Sequence, residues 1–166
     1  MTYKDFETKL NDLRPHYSEK YRDMIEKISN KGEKIGVGNI SQFGPIYQTF
    51  MYACIIGIRL GAPKYLDKGE ASVEFAPIYK WKPFKIKTFL LMLMFNRAQS
   101  LNYDWIELED ASDDTIENFN SILRREIEGY ANRGFEYLQN IWDNEKIVFS
   151  SPQVFVNILM ELEENK

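Results

Sequence analysis

The chain has 166 residues, of which 44% are hydrophobic and 14% aromatic, so it is long enough to bury roughly 70% of the surface its unfolded form exposes. Its 11 Phe, 10 Tyr and 3 Trp exclude intrinsic disorder, its single Cys excludes an intrachain disulfide, and its single His argues against the usual His-based metal sites and His-paired nucleophiles. With 21 basic against 25 acidic residues and a net charge of -4, it is not suited to coating DNA by charge alone.

Within residues 1–30, Phe6, Leu10 and Leu13, then Tyr17, Tyr21, Met24, Ile25 and Ile28, recur at helical steps. This spacing predicts two amphipathic helices separated at Pro15. Lys4, Asp5, Glu7 and Lys9 place charge where a signal peptide needs an apolar stretch, so the expectation is a cytoplasmic protein. Lys31–Asn39 contains Gly36-Val37-Gly38 but no following Gly-Lys-Ser/Thr, and reads as a connection more simply than as a phosphate cradle.

Pro45 suits a helix start, and the following run to Leu60 is apolar on nearly every side, the pattern of a helix enclosed by others. Its apolar part is too short to cross a bilayer. Cys54 lies inside this run and reads as a core thiol. Gly61-Ala62-Pro63 ends the helix, residues 64–82 form a polar-aromatic connection with a weak strand signal at Ser72–Ala76, and Pro83 opens a second apolar helix to about Leu101.

Ser112-Asp113-Asp114 supplies a cap and negative charge at the positive end of a helix dipole. From there Ile116, Phe119, Leu123, Ile127, Tyr130, Gly134, Leu138 and Ile141 form the clearest amphipathic stripe in the chain. Gly129 and Gly134 inside it signal a kink or a close helix contact. Ser151-Pro152 opens a last helix through Phe155, Ile158 and Leu159. The expected architecture is a mainly α, single-domain bundle over 1–166, with about six helices around two buried apolar ones and room for a small strand pair in 64–82. It comprises N-terminal helices in 1–30, a core in 43–142 and a C-terminal helix in 151–166.

Two stretches carry a resemblance. Tyr47-Gln48-Thr49-Phe50-Met51-Tyr52-Ala53, followed by Ile56-Gly57-Ile58-Arg59, is similar to an aromatic-Met-Ala helix ending in an aliphatic-Gly pair with a basic residue soon after. Glu128-Gly129-Tyr130-Ala131-Asn132-Arg133-Gly134-Phe135-Glu136-Tyr137-Leu138 is similar to a Glu-x-Tyr-Ala-Asn-x-Gly-Leu-x-x-Leu pattern, with Phe135 in place of Leu. In this order the two resemble small accessory proteins associated with DNA phosphorothioation (Dnd-type) and related phage-defence systems, over roughly residues 43–142. The resemblance implies a defence-island accessory protein and supplies no catalytic residue.

The chemistry-bearing candidates are few. Asp104, Glu107, Glu109, Asp110, Asp113, Asp114 and Glu117 offer oxygen ligands but lack the alternation and glycine of a Ca2+ loop; a solvated helix start explains them more simply. His16 follows Pro15 without a second His or a nearby nucleophile and reads as a surface or capping residue. No catalytic residue, metal or cofactor is expected. The strongest binding candidate is Tyr79, Lys80, Trp81, Lys82, Phe84, Lys85 and Lys87, four lysines among three aromatics. Lysines on phosphates with Tyr79 or Trp81 stacked on an unpaired base would suit single-stranded nucleic acid. Alternatively the aromatics enter the core and the lysines snorkel outward. Arg59, Lys64 and Lys68 would extend the basic patch if the fold gathers them. The leading expectation is a non-catalytic protein that binds another protein, with no membrane association; the alternative is a nucleic-acid-binding module.

Overall fold

The computed structural model describes residues 3–29, 43–96, 108 and 111–164. In chain order the described elements are α1 (Tyr3–Asn11), β1 (His16–Ser18), α2 (Arg22–Ile28), α3 (Ile46–Leu60), β2 (Ser72–Glu74), α4 (Phe84–Phe95), α5 (Asp113–Asn144) and α6 (Val154–Glu164). The fold is a mainly α single domain with one small antiparallel strand pair. The glycine-containing stretch 31–39, the stretch 97–107 and acidic residues 109–110 lie outside the described residues.

α3 forms where its sequence permits. The Pro45 carbonyl accepts from the N–H groups of Gln48 and Thr49 at 2.8 and 3.2 Å. At the other end Gly61 takes φ +92° and donates to the carbonyls of Gly57 and Ile58, a left-handed stop that a Cβ would strain. Between these ends, Thr49 to Ala53 with the exception of Tyr52, and Cys54 to Gly57, are buried. The partner that buries them is α5.

α5 runs unbroken for 32 residues, about 48 Å at helical rise. Ser112 Oγ accepts from Thr115 N–H at 3.3 Å, and Asp113 and Asp114 occupy the first turn. The predicted stripe is buried from Ile116 through Leu138. The glycines mark a close contact within one continuous helix. An added Cβ at Gly134 would overlap the carbonyl oxygen of Ala53, and one at Gly57 would overlap that of Tyr130. Backbone therefore meets backbone twice at one crossing. The two stretches that carry the resemblance are the two sides of it. Gly129 serves differently: Pro63 and Tyr65 cover it, and its carbonyl accepts from Lys64 N–H at 2.9 Å, which lays the chain beyond α3 along α5.

Two expectations are corrected. Tyr17 and Tyr21 follow helical spacing, yet Tyr17 lies in β1 and Tyr21 in a single 3-10 turn. β1 pairs with β2 in the register His16 to Glu74, Tyr17 to Val73 and Ser18 to Ser72, and the ladder extends through Phe75 N–H to Pro15 O and Glu19 N–H to Ala71 O. Both tyrosines still point inward and flank Phe135, so the spacing predicts their burial but not their backbone. The second correction concerns α4. It was expected to be enclosed, but of its residues only Leu90 and Met94 are buried, while Phe84, Phe89 and Met92 are exposed. The amphipathic α5, not α4, accompanies α3 at the centre.

Glu70 fastens the connection before β2 to β1. Its carboxylate accepts from Ser18 Oγ and from Asp67 N–H, with Lys20 Nζ at 3.2 Å. These donors, Ser18 first, hold its pKa down at about 2. A carboxyl lowered in the folded state stabilises the fold above the unfolded value and loses that contribution as pH falls through the folded one. Glu70→Gln should therefore lower stability at neutral pH, and the gap from the parent protein should close between about pH 4.5 and pH 2; urea unfolding across that range measures it.

Candidate functional site

The Lys/aromatic segment is divided by its backbone. Ile78–Lys80 is a single 3-10 turn that buries Ile78 and turns Tyr79 and Lys80 outward. Trp81 then points inward: it is 1% exposed, its ring lies 5.4 Å from Phe50, and Nε1 donates to Ala76 O at 2.8 Å. Burial removes Trp81 from any base-stacking surface. Tyr79 remains 52% exposed, beside exposed Lys80, Lys82 and Lys85 and half-buried Lys87. Lys80 and Lys87 ride over the rings of Tyr79 and Phe84. Among the described residues none of the four lysines pairs with a carboxylate. Arg59 is held by Glu163 of α6 at 2.8 Å, and Lys64 by Glu136 of α5, so both are committed to other helices.

Where α4 leaves the lysines it becomes one wall of a groove. Ile86 and Phe89 of α4 face Tyr52 and Ile55 of α3 and Phe155 and Leu159 of α6, around about 320 Å3, with Lys85 at the edge. Tyr52 and Phe155 stack with ring centroids 4.1 Å apart and fix the α3–α6 side. α4 and α6 further expose Phe84, Met92, Val156 and Met160. Scattered apolar residues on a surface need no explanation; a concave strip walled by apolar side chains of three helices is a candidate docking surface. Sequence reasoning missed this groove because a uniformly apolar helix does not state which of its faces is covered.

The remaining candidates are placed as follows. Cys54 is fully buried with Sγ 3.7 Å from Ile127 O, and burial pushes its thiol pKa up, away from nucleophilic use. Asp113 and Asp114 sit in the first turn of α5, and Glu117 pairs with Lys9. Among the described residues no group of three or more His, Cys, Asp or Glu side chains is arranged to hold a metal ion. No described helix is long and apolar enough to cross a membrane. His16 lies in β1 with its backbone N–H and Nδ1 on Glu128 Oε1 at 2.8 and 3.1 Å, a contact between residues far apart in sequence.

Comparison of the chain with protein-family models, with curated proteins and with solved structures finds no match.

Proposed function

We propose that this is a non-catalytic interaction protein whose α3–α4–α6 groove receives an apolar segment of another protein, flanked on that segment by acidic residues. The apolar strip between Phe89 and Phe155, with Lys82 and Lys85 at the start of α4 paired with no carboxylate among the described residues, carries the reading. In a chain of net charge -4, a local set of four such lysines favours an acidic counterpart and disfavours a second copy meeting lysine with lysine. Its place as an accessory component of a phage-defence or DNA-modification system rests on the resemblance of residues 47–59 and 128–138.

Affinity capture from the native host tests the reading. The parent protein should retain a partner whose binding weakens with salt, while Phe89→Glu keeps its melting temperature and loses about 30-fold or more in affinity, as for an aromatic anchor in an interface. Equal capture by both proteins, or a partner whose acidic residues can be neutralised without effect, would overturn it. The second reading, single-stranded nucleic acid on Tyr79 with Lys80, Lys82, Lys85 and Lys87, is favoured by the exposure of Tyr79. It requires salt-sensitive binding that disappears when the four lysines become Gln and survives Phe89→Glu.

A further inference from the structure

The α3–α4–α6 groove also constrains the shape of what enters it. All of its lining residues come from those three helices, and no described strand contributes to it. Tyr52, Ile55, Phe89 and Leu159 stand inside their helices, where backbone N–H and C=O groups are consumed by the helix's own ladder. Among the described residues, Tyr52 Oη and Lys85 Nζ are the polar side-chain atoms of the lining.

An extended segment laid in such a groove would bury peptide groups that find no partner, which folded proteins avoid. The occupant must arrive with its backbone hydrogen bonds already made, as an α-helix does. At about 320 Å3 the groove is at the small end of ligand sites. It therefore admits apolar side chains from one face of a helix and leaves the opposite face in water, the condition for an amphipathic stripe.

Charge sets which end lies where. Lys85 is at the edge of the groove, and Lys82 directly precedes Pro83 at the start of α4; both are exposed. The first turn of α4 has no acidic residue, and its N-cap Pro83 makes no side-chain bond. The positive end of the helix dipole thus adds to the two lysine charges. Carboxylates on the occupant belong at this end.

Resting on the groove reading above, we infer that the partner enters as a single amphipathic α-helix, apolar at i, i+3, i+4 and i+7, with Asp or Glu at the end beside Lys82 and Lys85.

Fluorescence anisotropy of the full chain with four labelled peptides, each as long as α4, tests the inference. The first carries Leu at i, i+3, i+4 and i+7 with Glu at one end, and the second has the same composition in strict alternation. The third is the first with Pro at its centre, and the fourth exchanges Glu for Lys. The first should bind saturably below about 1 mM, and each of the others at least about tenfold more weakly. Lys82→Glu combined with Lys85→Glu changes exposed residues alone and should reverse the preference between the first and fourth peptides. No binding of the first peptide, equal or tighter binding of the alternating or Pro-containing one, or no charge reversal would overturn the helix. Dimerisation of the chain that is lost in Phe89→Glu would overturn it too, by giving the groove to a second copy. The groove reading fails separately, if Phe89→Glu binds the first peptide as the parent does.

Discussion

Gly134→Ala should unfold much of the population under conditions where the parent protein is native. The new methyl group would meet the Ala53 carbonyl, which is backbone, so no neighbouring side chain can rotate to make room. The two helices must separate, and with them the contact that buries Phe50, Met51, Cys54, Ile127 and Phe135. Overpacking costs typically 1–3 kcal/mol; a rigid clash on both sides of a helix crossing places this case at about 3 kcal/mol or more. Gly57→Ala meets Tyr130 O in the same way and should cost as much. Because the substitutions share one contact, the double variant should cost less than their sum. Gly69→Ala is the control: φ is +86° but no atom stands within 4 Å of the added carbon, so the loss should stay near 1 kcal/mol. Urea midpoints of the four variants and the parent decide the matter.

Trp81→Ala should cost about 3–5 kcal/mol, the range for emptying a large aromatic site in a core. The indole meets Phe50 and Phe75, which themselves stack at 4.5 Å, and its removal leaves Ala76 O without the Nε1 donor. Against a total stability of about 5–15 kcal/mol, this is a large fraction. Tyr79→Ala, two residues earlier and on the outside, should stay within about 0.5 kcal/mol. The contrast separates the segment's two duties, since a surface platform at Trp81 would predict loss of binding with little loss of stability. Denaturant unfolding of both variants reads the difference.

Much of this arrangement is legible in the residues, for reasons that are local. Pro45 and Ser112 announce helix starts because capping depends on neighbours in sequence. The stripe from Ile116 to Leu138 declares a covered face because long helices average over several turns. Gly134 declares a close approach through its high cost in a helix interior. β1 escaped recognition because three residues show too little alternation to compete with a helical step between Tyr17 and Tyr21. α4 misled because twelve nearly all-apolar residues have no polar face to point outward. The His16–Glu128 contact could not be read at all, since the two lie 112 positions apart and neither has a signature of its own. The Lys/aromatic segment was visible as an alternation, and only the turn at Ile78–Lys80 assigns its members to opposite sides.

The glycine crossing also sets the timing of folding. Cys54 and Ile127, which meet beside it, are separated by 73 positions, so α3 and α5 gain nothing from each other until that span of chain has closed. Contacts of such range slow the search for the native state. Closure entropy grows only logarithmically, by about 0.6 kcal/mol for each doubling of the loop. The length of the intervening chain therefore adds little by itself to the cost of the contact, while a single methyl group at Gly57 or Gly134 cannot be accommodated. At this crossing tolerance is measured along the chain, and intolerance in a patch of backbone two residues wide on each helix.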